Sequence, residues 1–318
     1  MSIVRFVKNW TLIISILTGV AGYFIYVNIP FLDCTHAFAN QAIAIIQPLL
    51  IFAMLFITFC KVNPKKLRLR RWHWWLLLIQ CLSFTILGII LILLPESGLR
   101  IILEGAMICM ICPTATAGAV ITRKLGGQVA HITTYTILIN IATAVLIPLL
   151  VPFVHPNPVL TIWNSTMLIL GKVFPLLLLP LLAAMLLRYL SPKLHFTISH
   201  CQDLSFYLWA VALALAMTVT TRSIVHSEVT LETQLWLVFV SLFSCLLQFF
   251  LGKRIGRIYN EEITAGQSLG QKNTVLAIWM GYTFFSPITS IAGGFYSIWH
   301  NVINTYQLYQ ARKKGILK

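Results

Sequence analysis

Apolar runs of about twenty residues recur along this chain, divided by short polar stretches rich in lysine and arginine. The run from Leu76 to Leu94 has no charged residue, and that from Met167 to Leu190 has only Lys172 and Arg188. A helix needs about 20 mostly apolar residues to cross the bilayer core, at about 1.5 Å of rise per residue. The pattern predicts ten such helices, at about 10–29, 38–60, 73–94, 99–122, 128–153, 166–190, 204–224, 233–252, 262–284 and 287–310. The connections are short, and no soluble domain or low-complexity linker fits between them.

Composition agrees with this pattern. Of 318 residues, 58% are hydrophobic and 10% charged, against about 25% charged in a soluble domain. Arg5 and Lys8 precede the first run and Ala37-Phe38-Ala39 offers a small-x-small site, as in a signal peptide. The run at 10–29 is nonetheless long enough to span and is read as a retained first helix.

The net charge of +15 does not imply a nucleic-acid partner, because the basic residues are clustered between apolar runs. Lys61, Lys65, Lys66, Arg68, Arg70 and Arg71 follow the second run. Arg123 and Lys124 follow the fourth, Arg188 and Lys193 the sixth, and Lys253, Arg254 and Arg257 the eighth. Arg312, Lys313, Lys314 and Lys318 end the chain. With ten spans, all of these fall on one side, leaving Arg100 and Arg222 on the other. The positive-inside rule then puts both termini in the cytoplasm, with the plasma (inner) membrane as the expected location. The seven cysteines lie mostly within apolar runs and imply no disulfide framework. Cys109 and Cys112 have metal-like spacing but no second pair or nearby histidine.

Two runs are interrupted. The fourth reads Cys112-Pro113-Thr114-Ala115-Thr116-Ala117-Gly118-Ala119, where proline removes a backbone donor and small residues follow. The ninth reads Gly266-Gln267-Ser268-Leu269-Gly270-Gln271-Lys272-Asn273-Thr274, with two glycines and six polar residues. Irregular backbone at membrane depth is tolerated only inside protein or beside a cavity. Each break is fourth in its set of five, and five is odd, so the two sets would run inverted. Matched interruptions in two inverted halves point to a transport site, with the broken helices crossing near the midplane. An ordinary kinked bundle with small-residue packing is the plainer account of either break alone.

Cys112-Pro113-Thr114-Ala115-Thr116-Ala117 resembles the Cys-Pro-Gly-Gly-Thr-Ala-Ser-Asn motif of the bile acid:sodium symporter family. Gly270-Gln271-Lys272-Asn273 resembles its Gly-Met-Gln-Asn motif. The resemblance extends over nearly the whole chain. It implies an all-α membrane fold of ten helices in two inverted five-helix repeats. A panel would span about 10–60 and 166–224, and a core about 73–153 and 233–310. It further implies sodium-driven secondary transport of a small organic anion bound between the two. Gln80 matches a family glutamine that helps hold sodium, and Thr136 keeps a hydroxyl in the fifth helix. Pro113, Thr114, Thr116, Ser268, Gln271, Lys272, Asn273 and Thr274 complete the expected substrate and ion pathway.

The departures fall on the sodium ligands. The family's Ser-Asn after Thr-Ala is Gly118-Ala119 here, its acidic residue is Ser268, its motif glutamine is Lys272, and a polar position in the fifth helix is Ile132. Sodium needs oxygen ligands, and an ammonium offers no lone pair. The sodium site is therefore expected to be degraded, with Lys272 as a tethered cation bonded to Gln80, Ser268 or carbonyls at the break. Transport would then be sodium-independent or proton-coupled, or the protein a uniporter; no other cofactor is expected. Lysine at a helix centre costs about 2.5–3.5 kcal/mol, which favours a functional role.

Other polar residues in spans have plainer explanations. Lys172 can snorkel to the interface or, on the sharper reading, bind a carboxylate. Glu104 faces a water-filled cavity or pairs with Arg100 four residues earlier. Asn140, His300 and Asn304 are expected to make interhelical hydrogen bonds. Glu261 and Glu262 suit the start of a helix, and the tryptophans near span ends suit an aromatic belt. An intramembrane enzyme is disfavoured, since the only aspartates, Asp33 and Asp203, sit near loops and no His-Glu-x-x-His motif occurs. A channel or a non-transporting sensor remains as the alternative class.

Overall fold

The computed structural model describes residues 3–201 and 204–315, leaving Asp203 and Lys318 outside, together with the side chains of Arg5 and Lys8. The described residues are helical, without strands. In chain order the α-helices are α1 (Ile3–Val27), α2 (His36–Cys60), α3 (Arg71–Leu93), α4 (Arg100–Ile111), α5 (Gly118–Lys124), α6 (Val129–Val154) and α7 (Ile162–Leu190). They continue with α8 (Pro192–His200), α9 (Leu204–Val225), α10 (Leu231–Ile258), α11 (Glu262–Gly270), α12 (Thr274–Phe284) and α13 (Ser290–Lys313).

Seven of these, α1, α2, α3, α6, α7, α9 and α10, contain segments long and apolar enough to cross a membrane. The other three expected spans differ for identifiable reasons. The fourth and ninth are each two short helices, α4 with α5 and α11 with α12, because the chain leaves helical geometry at Cys112 and at Gln271. The tenth, α13, is long but polar, and it buries Ser290, Ser297, His300 and Asn304. Two details depart from the hydropathy pattern. α10 continues through Lys253, Arg254 and Arg257, and the nine-residue helix α8 occupies an expected loop.

Which residues face outward identifies the solvent. On α3, Trp72, Leu76, Gln80, Phe84, Gly88 and Leu91 are buried, whereas Leu78, Leu82, Ile86, Ile89 and Leu93 are exposed. On α10, Ser241, Ser244, Gln248, Gly252 and Gly256 are buried, while Leu235, Phe239, Phe243, Leu246 and Phe250 face out. A helix in water turns its polar face outward. These turn apolar stripes outward and keep amides and hydroxyls inside, as lipid-facing helices do. The chain is an all-α integral membrane protein.

The chain forms two compact units, 1–61 with 180–228, and 62–179 with 229–318. In the first, α1 packs on α9 where Gly19 lies against Ala214, and Thr218 donates to the Gly19 carbonyl at 3.0 Å. Tyr23 Oη pairs with His226 Nε2 at 2.9 Å, and Arg222 donates to Asn40 Oδ1.

The second unit holds both interrupted helices. α10 packs closely on α11 through Gly252 and Gly256 on one helix and Gly266 and Gly270 on the other. A Cβ on Gly252 would stand 2.7 Å from the Ala265 oxygen and 3.0 Å from the Gly266 Cα. Paired small residues four apart allow backbones to approach this closely. A buried cluster of Trp72, Leu76, Tyr135, Ile139, Ala265 and Leu269 ties α3, α6 and α11 together.

Candidate functional site: the meeting of two helix breaks

The two interruptions touch. Thr114 and Lys272 form an antiparallel bridge, in which Asn273 N donates to the Pro113 oxygen and Ala115 N to the Gln271 oxygen, each at 2.9 Å. Each extended segment thereby satisfies backbone groups that leaving the helix had freed.

The ends of the half-helices are capped by side chains. The last carbonyls of a helix lack intrahelical partners, and when buried away from water each needs one. In α4 the Ile108 oxygen accepts from Cys112 N at 3.1 Å. The Cys109 oxygen would next accept from residue 113, but proline has no N–H; Gln248 Nε2 supplies the bond at 3.1 Å. Lys272 Nζ donates to the Met110 oxygen at 3.4 Å. Gln80 Nε2 donates to the Ile111 and Cys112 oxygens at 3.0 and 2.9 Å, and Thr143 Oγ1 also reaches Ile111 at 3.2 Å. Tyr135 fixes the amide by donating to Gln80 Oε1 at 2.9 Å.

The end of α11 is treated alike. Thr114 Oγ1 donates to the Ser268 oxygen at 2.6 Å and Tyr296 Oη to the Gly270 oxygen at 2.8 Å. Gln248 Nε2 also donates to Tyr296 Oη at 3.2 Å. One chain of hydrogen bonds thus runs from the Cys109 carbonyl through Gln248 and Tyr296 to the Gly270 carbonyl, joining the two helix ends.

Lys272 is 1% exposed and has no carboxylate partner among the described residues. Its charge is set against the C-terminal end of α4, where the helix macrodipole is negative. The thiols of Cys81, Cys109, Cys112 and Cys245 lie within electrostatic range of it. Of the three partners expected for its ammonium, carbonyls at the break supply the observed one. Gln80 and Ser268 are occupied elsewhere, Ser268 Oγ donating to the Thr264 oxygen.

The break also holds buried polar atoms without a protein partner. Gln271 Oε1 and Asn273 Nδ2 make no hydrogen bond, although Asn273 Oδ1 caps α12 by accepting from Leu276 N at 3.3 Å. Thr274 is buried at the start of α12, and Thr116 is half-buried between α4 and α5. No group of three or more histidine, cysteine or acidic side chains among the described residues is placed to hold a metal ion.

The remaining candidates make no hydrogen bond to this cluster. Thr136 donates to Ile132 of its own helix at 2.9 Å. Asn140 was expected to bond between helices, but its Nδ2 turns back to the Thr136 oxygen at 2.6 Å. Asn304 does bond between helices, accepting from Gln267 Nε2 at 3.0 Å. His300, also expected to bond between helices, has its buried Nδ1 without a hydrogen-bond partner, and its ring packs on Tyr296 in a T-shaped arrangement. Lys172 is exposed on α7 and makes no hydrogen bond or ion pair with the described residues.

Two ionic clusters lie at opposite ends of α3, which is about 35 Å long at 1.5 Å per residue. Near its C-terminal end, Glu104 is fully buried instead of facing a water-filled cavity. It pairs with Arg100 at 3.1 Å and His155 at 2.7 Å, and accepts from Ser286 N at 3.2 Å. Before its N-terminal end, Glu261 pairs with His131 at 2.7 Å and Arg70 at 3.6 Å, a larger role than a helix start requires.

Sequence reasoning named Gln80 but missed Tyr135, Thr143, Gln248 and Tyr296. The isolated amide of Gln248 within the apolar α10 was the available signal, because a polar group at that depth needs a partner. No family model matches the chain, and no curated protein sequence matches it.

Proposed function

We propose that the chain is a secondary active transporter of a small organic anion, related to the bile acid:sodium symporter family and working by alternating access. Its architecture would be ten spans in two inverted five-helix repeats, with both termini in the cytoplasm. The observation that carries this reading is the Thr114–Lys272 bridge, where two helix breaks meet, each fourth in its half of the chain. Building such a junction takes a set of buried amides and hydroxyls, more than a kinked packing helix needs. Gln271 Oε1 and Asn273 Nδ2 are buried there without a hydrogen-bond partner, which a ligand reaching the junction would supply.

In this reading Lys272 is a tethered cation that replaces a bound sodium. Its ammonium meets the Met110 carbonyl at the negative end of α4, which a monovalent cation would otherwise stabilise. Transport would then proceed without sodium.

The test is uptake of labelled taurocholate and of a series of small carboxylates by the purified protein in liposomes, with no gradient, a sodium gradient or a pH gradient. Saturable uptake with counterflow in sodium-free buffer is the expected result. Uptake strictly dependent on sodium would overturn the role of Lys272. Non-saturable conductance would indicate a channel, and bound substrate without flux a sensor.

A further inference from the structure

A cleft of about 530 Å³ opens beside the N-terminal end of α3, lined by Lys65, Lys66, Arg68, Arg70, His131 and Glu261 among others. The basic loop that forms one wall is held in shape. Asn63 Oδ1 accepts from Lys65 N at 3.1 Å, Lys66 N donates to the Asn63 oxygen at 3.0 Å, and Arg68 N donates to Thr134 Oγ1 of α6 at 3.2 Å. The opposite wall is the turn between α10 and α11, where Asn260 takes a left-handed backbone conformation (φ 57°) and Glu261 follows.

Charge in this cleft is not balanced. Glu261 is the one acidic residue lining it, and it is engaged by His131 and Arg70. The exposed side chains of Lys65, Lys66 and Arg68 have no ion pair among the described residues. The positive-inside rule explains why basic residues occur in this loop. It asks only for charge near a span, and does not require the loop to be bonded to α6 so that its cations line a concavity.

We propose that this cleft binds an anion bearing phosphate and at least two negative charges. Its volume lies within the range of about 300–1,000 Å³ usual for small-molecule sites. Arg68 offers an unengaged guanidinium fork suited to phosphate oxygens, and the lysines add point charges. The same chemistry is found in an anionic phospholipid headgroup at the membrane surface and in a soluble phosphate compound. The proposal does not depend on the transport reading.

The test uses the full-length protein purified in an uncharged detergent, with two probes: inorganic pyrophosphate by calorimetric titration and cardiolipin by native mass spectrometry. Lys65→Gln/Lys66→Gln/Arg68→Gln is compared with Arg312→Gln/Lys313→Gln, which removes exposed charge from the end of α13. Saturable binding of at least one probe is expected, weakened at least tenfold in the cleft variant and less than twofold in the control. Should the triple variant not fold, Arg68→Gln alone weakens binding at least threefold. Binding of cardiolipin alone assigns the cleft to lipid, and pyrophosphate binding that displaces cardiolipin assigns it to either source. Binding of pyrophosphate alone assigns it to a soluble anion. The proposal is overturned if neither probe binds saturably, or if the control variant weakens binding as much as the cleft variant.

Discussion

Replacing Lys272 with methionine separates a functional ammonium from a structural one. Methionine keeps an unbranched chain and removes the charge. The variant loses the bond from Nζ to the Met110 oxygen, and a hydrogen bond from a charged group contributes about 1.5–3 kcal/mol. It is relieved of the cost of holding an ammonium away from water, for which the membrane scale of about 2.5–3.5 kcal/mol per lysine is the guide. The difference runs from about 0.5 kcal/mol destabilising to about 2 kcal/mol stabilising. The 3.4 Å length of the bond puts the lost contribution at its weak end, so Lys272→Met should unfold at the same or a higher temperature than the parent. Tryptophan fluorescence during heating follows this in detergent, since the chain has nine tryptophans. Sodium-free uptake by the same preparation should fall at least tenfold. Lys272→Ala, which leaves space beside the carbonyls, should be stabilised by added methylammonium more than the parent is. A large fall in unfolding temperature would refute the reasoning by making Lys272 a strut, and undiminished uptake would refute it by making the charge irrelevant.

Three further outcomes follow from the geometry. Gln80→Leu should destabilise by about 2–6 kcal/mol, because it orphans the Cys112 oxygen and the Tyr135 hydroxyl at about 1–3 kcal/mol each, while Thr143 still serves Ile111; adding Tyr135→Phe should recover part of the loss in the same thermal assay. Gly252→Ala should lower the unfolding temperature despite alanine's better helix propensity of about 1 kcal/mol, since its Cβ would meet the α11 backbone, whereas Gly22→Ala, with nothing within 4 Å, should be neutral or stabilising. Ser268→Glu/Lys272→Gln, which gives two positions the residue types of the bile acid:sodium symporter motif, should make uptake respond to a sodium gradient; the same rate with and without sodium would argue against the proposed tethered cation.

The junction was legible in the sequence to the extent that its signals are local. Pro113 removes a donor wherever its helix packs, and Gly270-Gln271-Lys272 interrupts an apolar run whatever its neighbours. The residues completing the junction gave only weak signals. Tyr135, Thr143 and Tyr296 are ordinary residues for a membrane helix; Thr143 and Tyr296 matter because their helices are rotated toward carbonyls left unpaired at the ends of α4 and α11, and Tyr135 because it reaches the Gln80 amide that serves Ile111 and Cys112. Asn140 shows the converse, since its composition suggested an interhelical bond and its rotation gives a local one.

Solvent and punctuation are written locally in the chain. Hydropathy summed over some twenty residues fixes which segments belong in lipid, and proline, glycine and charge mark where helices end, because each acts through its own stretch of backbone. The pairings come from how the helices pack. The Thr114–Lys272 bridge, the approach of Lys272 to Met110, the burial of Glu104 with His155 and the engagement of Glu261 by His131 join residues 51 to 162 positions apart. Those contacts depend on the depth and rotation of each helix, which the packing of α10 on α11 and of α3 on α6 sets and no single segment encodes.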